Sequence, residues 1–565
     1  MSMPPMHDLI ALLIVIPLVA GLLSLAVINS RFWSRAIGVS SIVLTLGLAL
    51  GLLLQLTAQG GAVLVSEMGD WKAPFGIVLV YDSLSGILIT AAMVAALAAY
   101  LHSFSSLDPN VERRYFHPLL QFLLVGVNLS FATGDLFNLF VGYEVMLMAS
   151  YALLTIGSGK AQLRQAYKYV LLNVLAGTML LMSAGMTYGM FGTLNMADLA
   201  RIICEIEADP SRQLPAGFTA LSVMMLLVFA VKGAFFPLWF WLPDTYYTLP
   251  IAIGGLFGGL LTKVGVYTIV RLFPGVFASD GMGGSSEVIA VVLAVAAGIT
   301  MFLGVLGAVS QHRVRKILAV HVISQVGYMA AGIAVAVWVD RGAVLEGQVT
   351  GRTIAAFAIG GCVFHMVHNI IVKCALFLCC GLMEKHAGTD DLDKLGGLLK
   401  RDVFLAVLLF ISAMSLVGFP PLSGFGGKIV IIQAGWSNLW VLSIVGLLTG
   451  ALTLLSMLKI WSYGFWNPDQ APVARQPSHV KATNRPAYLG VAILVAVALF
   501  LGFGSEAVYE IAFNAGDQIA DRTAYIQAVL GPEGIAHLDG PALADPAAMT
   551  QPATPPTTQP AEVLP

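Results

Sequence analysis

Isolated charged residues inside apolar stretches are the residues of this sequence best suited to chemistry. Glu144 lies within NLFVGYEVMLMASYALL and Lys232 within LLVFAVKGAFFPLWFWLPD. An ionised side chain at the centre of a bilayer costs about 2.5–3.5 kcal/mol, so such residues are rare and usually functional. Burial disfavours the charged form of a carboxylate or an amine, whereas an opposite charge nearby favours it. A buried carboxylate and amine that approach each other and separate can therefore gain and release a proton. We predict that Glu144 and Lys232 form a switching pair.

Two further lysines have equally apolar surroundings. Lys263 lies within GGLLTKVGVYTIVRLF, and Lys428 lies within SLVGFPPLSGFGGKIVIIQAG. Together with Glu144 and Lys232 they predict a chain of titratable groups that passes protons or small cations through the interior of the protein.

Histidines extend this chain. FHMVHNIIVKCALF places His365, Asn369 and Lys373 at positions i, i+4 and i+8 on one helical face, with His368 beside that face. Histidine titrates near neutral pH, so His365, His368, Lys373 and also His321, in RKILAVHVISQVGYM, are predicted to relay protons. For His321 and His368 the alternative is a buried side chain that only forms hydrogen bonds.

Structural alternatives exist for the other charges as well. Lys232 and Glu144 could form a static ion pair that fixes helix packing. Lys459, near a helix end before Trp461 and Tyr463, is interpreted as a residue whose amine extends to the membrane interface.

The composition shows which elements must carry these residues. Of the 565 residues, 58% are hydrophobic and 11% charged, and the mean hydropathy is +0.86, whereas a soluble domain is about a quarter charged. Apolar runs of about 20 residues, each able to span a bilayer, recur up to about residue 511.

We predict an all-α polytopic membrane protein with about fourteen transmembrane helices, centred near residues 18, 45, 90, 124, 147, 179, 230, 261, 298, 327, 367, 418, 452 and 498. The first run, Leu9 to Val27, lacks a basic n-region and a cleavage site and is predicted to be a transmembrane helix.

Prolines predict that two of these helices are broken. Pro237 follows Lys232 by five residues, and Pro420 and Pro421 shortly precede Lys428. Proline removes backbone hydrogen bonds from a helix, so helices 7 and 12 are predicted to be discontinuous. Two broken helices five positions apart also suggest two inverted five-helix repeats, helices 4–8 and helices 9–13, as in many transporters.

The loops predict the orientation and the domain limits. Most loop lysines and arginines lie in odd-numbered loops, for example Arg113, Arg313 and Lys400, and such loops are typically cytoplasmic. Both termini are therefore predicted to be periplasmic, in a bacterial inner membrane. We expect a transmembrane domain over residues 1–511 and a periplasmic C-terminal segment over residues 512–565, disordered after about residue 535 because it is rich in Pro, Ala and Thr.

Several function classes are excluded by the absence of their motifs. No phosphate-binding loop or dinucleotide fingerprint occurs, no cysteine and histidine spacing suggests a metal or another cofactor, and the basic residues form no nucleic-acid patch. The five cysteines are interpreted as small apolar residues. The glycine-rich stretch belongs to an apolar helix, where small residues let helices approach closely; it comprises Gly254, Gly255, Gly258 and Gly259.

These segments resemble a known family. FVGYEVMLMASYALL, FPLWFWLPDTYYTLPIAIGGLFGGLLTKVGVYTIVRLFP and GFPPLSGFGGKIVIIQAG are similar to the antiporter-like family, which includes membrane-arm subunits of respiratory complex I and the large subunits of Mrp-type cation/proton antiporters. The resemblance covers nearly all fourteen helices and is strongest to the D-type member of the Mrp subunits. In that family, the glutamate of helix 5 and the lysines of helices 7, 8 and 12 form the proton path, which maps here onto Glu144, Lys232, Lys263 and Lys428. The C-terminal extension is not expected of the family.

The resemblance implies a proton-translocating subunit of a multisubunit Na⁺(K⁺)/H⁺ antiporter, a secondary transporter rather than an enzyme. It would need the other Mrp subunits (A, B, C, E, F and G) and membrane lipid. The alternative is a proton-pumping membrane subunit of NADH dehydrogenase or of a membrane hydrogenase, where the same residues would act and electrons would supply the energy. A purely structural membrane scaffold is the third interpretation.

Overall fold

The structure is a computed structural model of the chain. The described residues are 6–157, 159–209, 211–277, 285–339, 350–468 and 484–532. The predicted disordered segment after about residue 535 lies outside them.

Apolar helices occupy all fourteen predicted positions. Among the described residues, ten helices are long and apolar enough to cross a membrane and four shorter apolar helices accompany them, which is consistent with the predicted count of fourteen. In chain order they are α1 (Leu12–Ala26), α2 (Arg31–Ala58), α3 (Ser83–Ser106), α4 (Phe116–Ala132), α5 (Leu136–Thr155), α6 (Lys160–Phe191), α7a (Phe218–Gly233) with α7b (Leu242–Thr248), α8 (Ile251–Leu272), α9 (Ser285–Ser310), α10 (Val314–Trp338), α11 (Gly351–Ala387), α12a (Val403–Val417) with α12b (Ser423–Trp436), α13 (Trp440–Trp461) and α14 (Arg485–Phe503). The predicted fold class, an all-α polytopic membrane protein, is confirmed.

Three helices form the centre of the molecule. The most apolar segments of α8, α10 and α11 are entirely buried, whereas less than half of the corresponding segments of α2, α6, α9, α13 and α14 is buried, as expected for peripheral helices. Glycines bring α8 against α11, since a Cβ at Gly259 would lie 2.9 Å from the carbonyl oxygen of Ile370 and one at Gly258 would lie 2.8 Å from the Phe377 ring. The predicted role of these glycines in close helix approach is confirmed.

Both predicted helix breaks are present. α7a ends before Ala234, which has a left-handed backbone (φ 59°), and the chain then runs through Pro237 to α7b. α12a ends at Gly418, whose φ of 90° suits a residue without a Cβ. The breaks occupy the same place in the two predicted five-helix sets. The inverted repeat itself stays a prediction.

Short elements cover one end of the helix bundle. β1 (Leu64–Glu67) and β2 (Val78–Tyr81) form an antiparallel hairpin that the all-α prediction did not include. Near it lie the helix Met196–Ala208 and two helices that follow α14, namely α15 (Ser505–Ala520) and α16 (Arg522–Leu530). Met6–Leu9 and α16 both contact β1, so we call this end the termini face. The expected domain boundary at residue 511 falls inside α15.

The opposite end, which we call the basic face, carries the charged odd-numbered loops. Arg31 and Arg35 both bind Glu112, with nitrogen–oxygen distances of 2.6 Å, and Glu112 is 1% exposed. Burial alone would raise the pKa of Glu112, but hydrogen bonds with His117 and Arg35 lower it to about 2. These bonds join the start of α2 to the loop before α4.

Glu112→Gln is expected to destabilise the protein by about 1–3 kcal/mol at neutral pH, because two arginines lose their charged acceptor. Since folding lowers the pKa of Glu112 from 4.5 to about 2, this contribution is present above pH 4.5 and disappears as the pH falls towards 2. Thermal unfolding in detergent across this pH range would measure it.

Asp391→Asn provides the control, because Asp391 pairs with an exposed lysine, Lys394, at 3.8 Å, and such pairs contribute little. Equal melting temperatures for Glu112→Gln and Asp391→Asn would contradict the prediction.

Candidate functional site

The predicted switching pair is brought together without a direct ion pair. Lys232, at the end of α7a, is 4% exposed, and its Nζ has no hydrogen-bond partner among the described residues. This nitrogen lies 4.6 Å from the ring centroid of Tyr143, the neighbour of Glu144 on α5. Glu144 is half-buried and acts electrostatically on Lys232. The static ion pair of the alternative interpretation is not formed.

Glycines position both members of this pair. A Cβ at Gly177 on α6 would lie only 2.5 Å from Oε1 of Glu144, so the carboxylate rests against the bare backbone of α6. A Cβ at Gly265 on α8 would lie 2.8 Å from the backbone nitrogen of Gly233, which holds the end of α7a close to α8. Neither contact was predicted from the sequence.

Lys263 and Lys373 occupy the contact between α8 and α11. Both are 0% exposed. Lys263 donates a hydrogen bond of 2.8 Å to the carbonyl oxygen of Gly258, whereas the Nζ of Lys373 has no partner within the described part of the chain. The two ammonium groups interact electrostatically.

The predicted histidine stripe is buried in the middle of α11. Nδ1 of His368 lies 2.8 Å from the hydroxyl of Ser423 at the start of α12b. The ring centroids of His365 and His368 are 5.6 Å apart, and both rings interact electrostatically with Lys263, Lys373 and Lys428. Neither nitrogen of His365 has a hydrogen-bond partner among residues that the structure describes.

His321 is held by hydroxyl groups on α10 and α13. Its Nε2 lies 2.5 Å from Oγ of Ser456, and its Nδ1 lies 3.3 Å from Oγ of Ser324. It interacts electrostatically with Lys373 and Lys428. His321 is thus both hydrogen-bonded and part of the charged cluster, so the two interpretations of this residue are compatible.

Lys428 uses the break in helix 12. Its Nζ donates hydrogen bonds of 2.7 and 2.9 Å to the carbonyl oxygens of Leu416 and Val417 at the end of α12a. The last carbonyls of a helix lack partners within the helix and carry partial negative charge. The amine also lies 5.0 Å from the ring centroid of Tyr328. A cavity of about 280 Å³ between α12 and α13 adjoins it.

This arrangement suits the transfer of protons. The structure gathers Lys263, Lys373, the three histidines and Lys428 into one electrostatically connected cluster, and places Glu144 and Lys232 beside it. Buried polar atoms without a protein partner are usually hydrated or functional; in the described residues they include Lys232 Nζ, Gln325 Oε1, both ring nitrogens of His365, His368 Nε2, Asn369 Oδ1 and Lys373 Nζ.

Sequence reasoning missed the aromatic partners of the lysines. Tyr143 and Tyr328 lie beneath the amines of Lys232 and Lys428, where a ring face attracts a cation. Tyr143 directly precedes Glu144 in the sequence, and that adjacency was the available signal. Tyr328 offered no comparable signal, because its contact with Lys428 joins separate helices.

Known proteins share both the sequence and the fold. Residues 133–453 match the sequence model of a family described as NADH:quinone oxidoreductase/Mrp antiporter, TM. The D-type subunit of the Na(+)/H(+) antiporter of Alkalihalophilus pseudofirmus is 40% identical over 526 residues, covering 93% of this chain and 100% of the relative. A chain of the Mrp complex from Dietzia sp. DQ12-45-1b is 29% identical, with a TM-score of 0.79 over 94% of this chain and 100% of that chain. A chain of the membrane-bound sulfane sulfur reductase, an archaeal respiratory membrane complex, shares the fold, with a TM-score of 0.78 at 23% identity over 92% of this chain and 99% of that chain.

The helix bundle and its buried row of ionisable groups define a membrane-embedded ion-transfer protein. More specifically, the chain belongs to the family of NADH:quinone oxidoreductase and Mrp antiporter membrane subunits. The resemblance identified from the sequence is confirmed, and the relative from Alkalihalophilus pseudofirmus is an antiporter subunit, a transporter component rather than an enzyme.

Gly177→Ala is expected to displace the Glu144 carboxylate, since the new methyl group would overlap it. A shift of about 1 Å in a reacting group can lower a rate about a hundredfold. We therefore expect ion exchange in membrane vesicles to fall at least about tenfold, with normal assembly.

Gly185→Ala on the same helix is the matched control, because a Cβ there meets no atom within 4 Å. Normal exchange in both variants would show that the position of the Glu144 carboxylate is unimportant.

Proposed function

We propose that this chain is the proton-translocating subunit of a multisubunit Na⁺ or K⁺/H⁺ antiporter, with Glu144, Lys232, Lys263 and Lys428 as the main proton-carrying residues. The observation that carries the proposal is the connected row of buried ionisable groups between two broken helices. The relative from Alkalihalophilus pseudofirmus, which is named as a subunit of a Na(+)/H(+) antiporter, supports the same function.

The first step takes place at Glu144 and Lys232. The Lys232 amine has no hydrogen-bond partner among the described residues, so it is free to move between the Tyr143 ring and the Glu144 carboxylate. Approach to the carboxylate favours the charged amine, and retreat favours loss of its proton. This motion would pass a proton towards α8 or take one up.

The second step is a relay through like charges. Lys373 interacts electrostatically with both Lys263 and Lys428, and adding a charge to either of these lysines disfavours charge on Lys373. A proton that arrives at Lys263 therefore promotes release from another member of the group. His321, His365, His368 and Lys373 would carry the proton between Lys263 and Lys428.

The last station is Lys428. The helix-end carbonyls of Leu416 and Val417 stabilise the charged form of the Lys428 amine. The amine would therefore keep its proton until the backbone at the break in helix 12 changes conformation. The adjoining cavity is lined by Phe425 and Leu447, which are 40% and 53% exposed. Lys428 therefore lies next to the outer surface of this subunit, where a neighbouring subunit would pack.

The setting follows from the charge distribution. The basic face would be cytoplasmic and the termini face periplasmic, because basic loops are retained in the cytoplasm. The chain would then lie in a bacterial inner membrane with both termini in the periplasm. The partners would be the other Mrp subunits (A, B, C, E, F and G), with H⁺ and Na⁺ or K⁺ as the ions and lipid around the periphery.

One observation favours a second candidate function. The fold is shared with a chain of an archaeal respiratory membrane complex, so the same helices also serve in a redox complex. In that case electron transfer in other subunits would drive protons through the same residues.

Cation-induced collapse of a pH gradient, measured in inverted vesicles that carry the whole operon, tests the proposal. Glu144→Gln and Lys428→Met are each expected to lower Na⁺- or K⁺-driven proton efflux at least about tenfold, because each removes a charge that the path needs, with unchanged assembly.

Lys459→Met is the matched control. Lys459 also donates to two backbone carbonyls, those of Val309 and Gln311, but it does so at a helix end outside the cluster. Normal exchange in Glu144→Gln and Lys428→Met would refute the proposed path. A wild type that ignores cations but acidifies vesicles when a reductant is added would favour the redox-driven function.

A further inference from the structure

α8 carries a polar stripe that leads away from the proton-transfer cluster. Lys263, Tyr267 and Arg271 are spaced at i, i+4 and i+8, so they share one helical face. At a rise of 1.5 Å per residue, Arg271 lies about 12 Å from Lys263 along the axis. The stripe ends at the termini face, where α8 is followed by the helical turn Phe273–Phe277.

A buried ion pair closes the end of this stripe. Nη1 and Nη2 of Arg271 lie 2.5 and 3.0 Å from the two carboxylate oxygens of Asp82. Arg271 is 4% exposed and Asp82 is 1% exposed. Asp82 also caps the start of α3 by accepting a hydrogen bond of 2.9 Å from the backbone nitrogen of Ser85.

Two tyrosines enclose the guanidinium group. The Arg271 Cζ atom lies 5.5 Å from the ring centroid of Tyr267 and 5.5 Å from that of Tyr525. Tyr525 comes from α16, which is a separate helix on the termini face. Its hydroxyl is buried and has no hydrogen-bond partner in the described part of the protein.

A second carboxylate lies beside this cluster. Asp135 caps α5, the helix of Glu144, by accepting a hydrogen bond of 2.8 Å from the backbone nitrogen of Asn138. It is 8% exposed and interacts electrostatically with Tyr525. Burial raises the pKa of Asp135, so this group can take up a proton more readily than an exposed aspartate.

The cluster also connects to Lys232. The hydroxyl of Tyr143 lies 2.8 Å from Oγ1 of Thr268, which adjoins Tyr267 on α8. The ring of the same tyrosine lies beneath the Lys232 amine. Both Lys232 and Lys263 therefore lead to the same end of α8.

We propose that the Asp82–Arg271 ion pair, enclosed by Tyr267 and Tyr525, is a gate. It would separate the proton-carrying residues Lys232 and Lys263 from the aqueous phase at the termini face. This inference rests on the proposed function. In the closed state the bidentate pair fills the end of the α8 stripe. Movement of α16 withdraws the Tyr525 ring, separates the pair and exposes Thr268 and Asp135 to water.

Accessibility of a cysteine behind the gate tests this directly. Thr268→Cys is combined with Cys204→Ser in the full complex, because Cys204 is the one native cysteine that is not buried. Labelling by a membrane-impermeant thiol reagent is then compared between right-side-out and inverted vesicles, with and without Asp82→Asn. Asparagine retains the capping oxygen for α3 and removes the charge.

We expect Asp82→Asn to increase labelling of the introduced thiol from the termini face at least about tenfold. The substitution leaves the buried charge of Arg271 unpaired, which favours the open state by more than the ~1.4 kcal/mol that corresponds to a factor of ten. Tyr525→Ala is expected to act in the same direction and serves as the deciding variant if Asp82→Asn does not assemble. Glu205→Gln, which breaks an i,i+4 pair with Arg201 inside the helix Met196–Ala208 on the same face, should leave labelling unchanged, because that pair links no second helix.

Unchanged labelling in both Asp82→Asn and Tyr525→Ala overturns the gate, as does an equal increase in Glu205→Gln. Labelling requires no transport, so the outcome is independent of the exchange assay. A gate that fails while Glu144→Gln and Lys428→Met abolish exchange would leave the proposed function intact.

Discussion

The structure depends on how charged amines are kept stable where water is scarce. An ammonium group inside hydrocarbon needs oxygen atoms or an aromatic face nearby. Carbonyl groups within a helix are already occupied by the hydrogen bonds of that helix. The break in helix 12 releases two carbonyls for Lys428. Among the described residues, Lys232 has only the face of Tyr143 and the field of Glu144. In the proposed path, this unequal stabilisation of otherwise similar groups would give a proton a direction in which to move.

Helix packing fixes the distances between these groups. α8 touches α11 through glycines and touches the end of α7a through Gly265, so three charged helices approach more closely than side chains would normally permit. The peripheral helices contribute an apolar surface and few charges. The chain thus combines a tightly packed polar centre with an outer layer that lipid or neighbouring subunits can cover.

The sequence predicted the charged residues well because a charge inside an apolar run stands out without any knowledge of contacts. Apolar runs of about 20 residues located the helices, and the prolines Pro237, Pro420 and Pro421 located the two breaks. It could not find Gly177, whose importance depends on a carboxylate from another helix. The Asp82–Arg271 pair was also missed, because both residues lie at helix ends, where charges are common in any membrane protein. The β1–β2 hairpin was missed because its strands have four residues each, too few for a clear alternating pattern.

The length of α11 has a consequence for voltage. Its 37 residues form one continuous helix, about 55 Å long, which exceeds a hydrocarbon core of about 30 Å. Asn369 is its midpoint, so the stripe from His365 to Lys373 lies at an electrical distance near one half of the membrane. A proton that reaches this stripe from either side crosses about half of the potential, or about 1.2 kcal/mol of the ~2.3 kcal/mol available per 100 mV. In the proposed path, membrane voltage would therefore act with similar strength on protonation and on deprotonation of this stripe.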